Sequence, residues 1–157
     1  MTAIAGSVLF SFFGIARPMT RLNGALGQMA AGNLDMAVAY AKQRKLWGAP
    51  IASFQLIQLK LAQMEVARIN VRNMVFAHIE RSSHGAVPTF AEASAMKLYS
   101  AQAACQVADD AIQIFGGNGY IAEYRVEQLS RDARVLRIYA GTDEMQVIAI
   151  AKDLIRD

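Results

Sequence analysis

The chain has 157 residues and a formal net charge of +3, with 54% apolar and 18% charged residues. This composition excludes an intrinsically disordered chain, and the length is that of one domain able to bury a core. The basic residues are spread along the chain, so we expect no nucleic-acid partner. The single cysteine, Cys105, cannot form an internal disulfide, and we expect a reducing, cytoplasmic setting.

The first stretch, residues 3–16 (AIAGSVLFSFFGIA), is uncharged and mostly apolar. It is shorter than the roughly 20 residues that a membrane-spanning helix needs. Three interpretations stay open: the core of a signal peptide, the end of a truncated membrane span, or a helix buried in the protein or covered by an oligomer. We expect no stable membrane attachment from this stretch alone.

Residues 17–35 (RPMTRLNGALGQMAAGNLD) place Leu22, Leu26 and Met29 at helical spacing, and Gly32-Asn33 predicts the end of that helix. Together with the apolar run, residues 3–36 resemble the end of a membrane helix that enters the first helix of a HAMP linker, as in bacterial chemoreceptors. The second helix of such a linker does not follow in the sequence. We therefore expect no signal-transduction role.

The rest of the chain predicts helices and no alternating strands. Thr89 is a candidate N-cap with Glu92 at the capping-box position, and Thr142 is the candidate N-cap of the last helix. A stop and turn is expected at residues 47–50, and a connector or short helix at 120–128. The predicted helices cover residues 35–45, 51–82, 90–115 and 142–155. They predict an all-α fold, an antiparallel four-helix bundle.

One stretch, residues 112–120 (IQIFGGNGY), has three glycines within four positions. Such a run ends a helix and lets backbone N–H groups approach a ligand closely. A glycine-rich helix end without any ligand has the same composition, so this motif alone does not decide between the two.

Four motifs together resemble the C-terminal helical domain of the acyl-CoA dehydrogenase family. They are YAKQRKLWG (40–48), FQLIQLKLAQM (54–64), ADDA leading into QIFGGNGY (108–120), and RDAR followed by IYAGTDE (131–144). They stand in the family's order and spacing, although the family usually has Phe where this chain has Trp47. The resemblance covers residues 38–157 and predicts two parts, 1–37 and 38–157. The junction between them would come from a fusion or truncation, or from a divergent N-terminus.

The resemblance implies a function. The family reaction is FAD-dependent α,β-dehydrogenation of acyl-CoA thioesters, with electrons passed to an electron-transfer flavoprotein. The flavin lies at a subunit interface, so a homo-oligomer, a dimer or a tetramer, is expected, and no metal site is implied. By resemblance, Arg44 contacts the FAD pyrophosphate and Gly141 contacts the substrate. The other implied cofactor-binding residues are Gln55, Gln113, Ile114, Phe115, Gly116, Gly117, Thr142, Asp143 and Glu144.

The chain departs from the family at the catalytic base. Many members have a Glu directly before the Gly-Thr of the fourth motif, where this chain has Ala140, and a methyl group cannot accept a proton. Other members carry that Glu on the preceding helix, which corresponds to a position near Pro18, but no Glu occurs before Glu65. The family's N-terminal and middle domains have no counterpart in the sequence.

We therefore expect the isolated chain to be inactive. Two alternatives are the FAD-binding half of a two-chain acyl-CoA dehydrogenase, and a non-catalytic helical module for oligomerisation or membrane-proximal interactions.

Overall fold

The computed structural model describes residues 17–156, with the backbone alone for residues 17–26 and Met29. Five α-helices lie in the described part of the chain, together with 3-10 turns at Ile51–Ser53 and Gly116–Gly119 and a two-residue β-ladder. The helices are α1 (Arg17–Gln43), α2 (Gln55–Ser83), α3 (Phe90–Phe115), α4 (Val126–Val135) and α5 (Asp143–Leu154). The predicted all-α class is confirmed.

Helix α3 forms the centre of the bundle and packs against each of the other four helices. Lys60 of α2 contacts Asp110 of α3, and Asn70 contacts Tyr99, so the two helices run antiparallel. Small residues of α3, such as Ala101, are completely buried and allow the neighbouring helices to approach closely. The predicted antiparallel bundle is therefore confirmed in its arrangement.

Helix α1 corrects one boundary of the sequence analysis. The helix end predicted at Gly32-Asn33 is wrong, because α1 continues without interruption from Arg17 to Gln43. A glycine inside a helix costs about 1 kcal/mol. That cost is offset because Ala30, Leu34, Ala37 and Ala41 form one face that is fully or almost fully buried in the core. The junction proposed between residues 34 and 38 falls inside this continuous helix.

A tight hairpin follows α1 and positions the next elements. Strands β1 (Lys45–Leu46) and β2 (Ala49–Pro50) pair antiparallel, although no strand was predicted here. Trp47 and Gly48 form the turn with φ angles of 50° and 82°, which reverse the chain within two residues. The predicted turn is thus present. It is flanked by strands of only two residues each, which are too short to produce an alternating sequence pattern.

The helix ends follow the local signals. Helix α3 begins at Phe90 with the predicted capping box: the Thr89 hydroxyl accepts from the Glu92 amide, and the Glu92 carboxylate accepts from the Thr89 amide. Thr142 occupies the N-cap position of α5, but its side chain makes no capping hydrogen bond to the backbone. Cys105 donates to the carbonyl of Ala133 between α3 and α4, and its burial raises the pKa of the thiol.

Several expectations concern residues outside the described range. The apolar run at residues 3–16 and its three interpretations lie there, as do the side chains of Leu22, Leu26 and Met29. No helix in the described part of the chain combines the length and the apolar character needed to cross a membrane.

Candidate functional site

A groove of about 620 Å³ opens at the C-terminal end of α3, and we call it the Arg44 groove. The β-hairpin, the start of α2 and the glycine turn after α3 form its walls. Residues from three of the quoted motifs therefore meet in one place. The lining residues include Tyr40, Arg44, Trp47, Phe54, Phe115, Gly116 and Gly117.

Aromatic rings build two sides of the Arg44 groove. Tyr40 stacks on Phe115 with ring centroids 4.0 Å apart and planes 16° apart. Tyr124 packs edge-on against both rings. Trp47, another lining residue, is 86% exposed and meets Phe54 edge-on at 5.8 Å. Burial of a large aromatic ring is normally favourable, so an exposed Trp beside a groove offers apolar contact area to a ligand.

The glycine turn has two distinct faces. A Cβ atom added at Gly116 or Gly117 would meet no atom within 4 Å, and Gly116 has a φ of 62°, so this backbone borders open space. A Cβ at Gly119 would instead lie 2.6 Å from the carbonyl oxygen of Ile112, so Gly119 is needed for packing. The first two glycines of the turn border open space, and the third allows the turn to stay close to α3.

Arg44 is held in place by its backbone and leaves its side chain available. Its amide donates to the Tyr40 carbonyl, and its carbonyl accepts from the Ile51 amide, both at 2.8 Å. Its exposed guanidinium forms no ion pair or hydrogen bond with any described residue. A free guanidinium beside exposed glycine backbone is suited to an anion such as a phosphate.

The other residues predicted for this site lie around the groove. Ile114 and Phe115 are buried in its wall, whereas Gln55 and Gln113 are exposed and stand next to lining residues without lining the groove themselves. The structure therefore brings Arg44 together with residues 114–117 and places the two glutamines at the edge.

A second groove, of about 610 Å³, is lined by two residues of the fourth motif. Ala140 and Gly141 line it with Phe90 at the start of α3 and with Met145, Lys152 and Arg156 from α5 or just beyond it. The residue of α3 that contacts Gly141 is Lys97, which precedes Phe115 by eighteen residues, or about 27 Å along a helix. The predicted site residues thus occupy two separate places on one chain.

The turn at residues 140–142 has an unusual backbone. Ala140 has a φ of 54° and Gly141 a φ of 87°, so two consecutive residues are left-handed. A Cβ at Gly141 would lie 2.6 Å from Nε2 of Gln146, so only glycine fits there without a shift of that side chain. Lys97 Nζ donates to the Gly141 carbonyl at 2.7 Å, and the Gln146 amide donates to the carbonyls of Ala140 and Gly141 at 3.2 and 3.1 Å.

The chain matches the family model described as acyl-CoA dehydrogenase, C-terminal domain, over residues 7–155. It belongs to the acyl-CoA dehydrogenase family. The match includes most of the N-terminal segment that the sequence analysis set apart at residue 37.

Known relatives extend well beyond this chain. It is 44% identical over 132 residues to a 3-(aryl)acrylate reductase of Clostridium sporogenes, covering 84% of this chain and 34% of the relative. It is 40% identical over 134 residues to the mitochondrial isovaleryl-CoA dehydrogenase of Oryza sativa subsp. japonica, covering 85% and 32%. The butyryl-CoA dehydrogenase structure from Megasphaera elsdenii superposes with a TM-score of 0.86 at 33% identity, covering 93% of this chain and 38% of that one. The chain spans about a third of the length of these curated relatives.

In this acyl-CoA dehydrogenase domain, the acidic residues near Ala140 differ in their surroundings. Asp143 is buried, and its carboxylate accepts from Arg137 at 2.7 Å and from Gln102 at 3.3 Å, so it ties α5 to α3 and to the preceding loop. Glu144 is exposed, and a hydrogen bond with Thr142 lowers the pKa of its carboxyl. Ala140 is exposed on the groove wall and offers no acid or base.

Sequence reasoning missed three residues that shape the two grooves. Tyr40 and Asn118 stood inside quoted motifs, and their hydrogen bond at 2.9 Å joins α1 to the glycine turn. Lys97 had one available signal: it shares a helical face with the small residues Ala93, Ala101 and Ala104, a spacing that predicts burial for a lysine.

Proposed function

We propose that this chain is the C-terminal helical part of an FAD-dependent acyl-CoA dehydrogenase and provides cofactor-binding residues for α,β-dehydrogenation of an acyl-CoA thioester. Electrons would leave through an electron-transfer flavoprotein. The observation that carries the proposal is the meeting of Arg44 with Gly116 and Gly117 in one open groove, although the motifs lie far apart in sequence.

The residues of the Arg44 groove fit the cofactor chemically. The free guanidinium of Arg44 would hold the pyrophosphate, which it can contact with two parallel hydrogen bonds. The open backbone at Gly116 and Gly117 would allow close approach, and the exposed ring of Trp47 supplies a surface for an aromatic group. When bound, FAD would supply the acceptor for the hydride that leaves the substrate.

The separation of the two grooves supports a site made by more than one copy. If the flavin lies at a subunit interface, the Arg44 groove and the turn at residues 140–144 of one chain would serve two different cofactors. Helix α2 also exposes Leu56, Leu59 and Phe76, with relative exposures of 77%, 54% and 61%. Exposed apolar residues at this density favour association, so we propose a dimer or tetramer.

The same geometry supports inactivity of the isolated chain. The position of the family's base carries the methyl group of Ala140. Asp143 is engaged by Arg137 and Gln102. Asp153 lines the groove beside α5, but it is exposed and lies ten residues after Asp143, about 15 Å further along the helix. It therefore does not stand at the position of the family's base, where a group would have to remove the substrate's α-proton.

Cofactor binding can be measured through Trp47, which is the single tryptophan of the chain and lies on the lip of the Arg44 groove. We expect added FAD to quench its fluorescence saturably, and Arg44→Gln to weaken the apparent affinity about tenfold, the loss typical of one charge-assisted contact. Lys45→Gln is the matched control, because it removes the same charge from the next residue, whose side chain does not line the groove. Equal titrations for the two variants, or no quenching by FAD, would reject the binding proposal.

Catalysis is tested separately by reduction of an artificial dye with an acyl-CoA. We expect no turnover from the wild-type chain or from Ala140→Glu, because restoring the base does not restore the rest of the flavin pocket. Dye reduction by Ala140→Glu would show that this chain holds a complete site.

A second candidate is the FAD-binding half of a two-chain enzyme, which the unpaired guanidinium of Arg44 in an open groove favours. It predicts that dye reduction appears when a second chain supplies the family's other domains and the Glu. If FAD quenched the fluorescence of Trp47 but none of these mixtures reduced the dye, only the first candidate would remain.

A further inference from the structure

Lys97 is completely buried between α3 and the start of α5. A lysine is almost never fully buried unless its ammonium has a partner. Here Nζ lies 2.7 Å from the carbonyl oxygen of Gly141, at the turn where the family's fourth motif places its catalytic position. Burial lowers the pKa of the Lys97 amine, while the charges of Asp143 and Glu144 raise it and that of Arg137 lowers it.

The carbonyl that Lys97 contacts belongs to the strained part of the chain. Ala140 and Gly141 both have left-handed φ angles, of 54° and 87°. An alanine adopts this conformation only at a cost, because its Cβ crowds the following carbonyl. Three hydrogen bonds, one from Lys97 and two from Gln146, converge on the two carbonyls of this pair.

We propose that Lys97 is a positioning residue: its buried amine fixes the Gly141 carbonyl and thereby holds residue 140 on the wall of the groove beside α5. The catalytic relevance of this clamp rests on the proposed function, since residue 140 is where the family carries its base. The clamp itself is a property of this chain and is tested without flavin or substrate.

The surroundings of Lys97 explain why a single amine can hold the Gly141 carbonyl in place. Ser94 and Ser100 stand three residues before and after it, on the same face of α3, and both are completely buried. Lys97 itself has no exposed surface, and the only carbonyl to which its ammonium donates within the described residues is that of Gly141. A charged donor in such a low-dielectric place makes a stronger hydrogen bond than it would at the surface.

The Gly141-Thr142 pair gives a direct readout, because Gly-Thr occurs once in the sequence. Labelling glycine with ¹³C at the carbonyl and threonine with ¹⁵N isolates the Gly141 carbonyl in a single NMR correlation. We expect this resonance to move upfield in Lys97→Met, because the carbonyl loses its donor. Lys152→Met is the matched control, since it removes an exposed charge from the same groove without contact to Gly141.

The wild-type chain offers a test that needs no variant. As the pH rises, the carbonyl resonance should titrate with a midpoint below the ordinary lysine value of 10.5, because the amine that contacts it loses its proton early. This titration should persist in Lys152→Met. A Gly141 carbonyl that shows no such titration in the wild type would overturn the proposal even if Lys97→Met failed to fold.

A double-mutant cycle separates positioning from general packing. Ala140→Gly removes the strain that the clamp holds, so we expect it to raise the melting temperature of the wild type more than that of Lys97→Met, in which the turn is free to relax. Strictly additive changes in melting temperature would show that Lys97 does not act through residue 140. That result would overturn the proposal.

Discussion

The side-chain amide of Asn118 donates a hydrogen bond to the hydroxyl of Tyr40 at 2.9 Å and joins residues separated by 78 positions in sequence. Tyr40 in turn stacks on Phe115 at the end of α3. The glycine turn is therefore fixed to α1 by one polar contact and one stacked ring. The side of the glycine turn that faces the groove therefore depends on Tyr40 and Asn118, neither of which is a glycine.

Asn118→Ala should lower the free energy of unfolding by about 1–2 kcal/mol, because it removes a half-buried hydrogen bond and leaves the Tyr40 hydroxyl without this donor. Asn70→Ala is a matched control: Asn70 also donates to a tyrosine hydroxyl, that of Tyr99, at 3.0 Å, but at an exposed place. Its loss should stay within about 0.5 kcal/mol. Urea unfolding measures both, and equal losses would mean that the Tyr40 contact does not fix the turn.

The glycine turn predicts opposite results at two neighbouring glycines. Gly119→Ala should destabilise the fold by about 1–3 kcal/mol, because its Cβ would lie 2.6 Å from the Ile112 carbonyl and 2.8 Å from Phe115 Cβ. Gly117→Ala meets no atom within 4 Å and should leave the melting temperature nearly unchanged. Under the proposed function, the same Gly117→Ala variant should weaken the FAD quenching of Trp47. A large loss of stability for Gly117→Ala would contradict the assignment of that glycine to the open face.

The capping box of α3 predicts a dependence on acid. Hydrogen bonding to the Thr89 amide and to Arg81 lowers the pKa of Glu92 below its ordinary 4.5. A lowered carboxyl pKa contributes stability that is present above the unfolded value and is lost as the pH falls through the folded one. Glu92→Gln should therefore lower the melting temperature at neutral pH. In acid, the melting temperature of this variant should approach that of the wild type.

Thr89→Ala separates this charge effect from capping in general. The hydroxyl does not titrate, so its loss should cost about 1 kcal/mol across the whole pH range. Melting temperatures measured from neutral pH to well below 4.5 compare the two variants. If the effect of Glu92→Gln were the same at every pH, the carboxylate charge would have no part in the cap.

The sequence-based predictions were correct where local interactions decide the structure, and they failed where contacts between distant parts of the chain decide it. Helix α3 was predicted from residue 90 to 115 because its capping box and its glycine stop are local signals. The end predicted at Gly32-Asn33 failed because burial of Leu34 and Ala37 in the tertiary core outweighs the local cost of a glycine. Local propensity decides a boundary only where packing does not oppose it.

The site shows the same limit in a different form. The motif residues Arg44, Gly116 and Gly117 were assigned together by resemblance, and one groove contains all three. Their separation from the turn at Ala140 could not be deduced, because it depends on the length of α3 between Lys97 and Phe115 as it lies in the folded bundle. The sequence indicated which residues form sites but gave no signal that they form two.

A partly buried ion pair between α2 and α3 gives the last prediction. Asp110 has a side chain only 4% exposed, and its carboxylate accepts from Lys60 at 2.7 Å and from Gln106 at 3.1 Å. Lys60→Met would leave a buried carboxylate with the neutral amide alone. We expect a loss of about 2–3 kcal/mol, below the usual cost for a fully buried pair because Lys60 is one-third exposed.

The loss of stability in Lys60→Met should come from the unpaired charge of Asp110 and not from the lost packing of the lysine methylene groups. Adding Asp110→Asn to Lys60→Met removes that charge and should recover more than half of the loss in urea unfolding, a coupling that packing alone would not produce. Arg131→Met is the control, because its ion pair with Glu127 is 72% exposed on the arginine side and should contribute less than about 0.5 kcal/mol. If the double variant were less stable than Lys60→Met, Asp110 would be held by its remaining hydrogen bond, and Lys60 would stabilise the interface of α2 and α3 through its aliphatic chain.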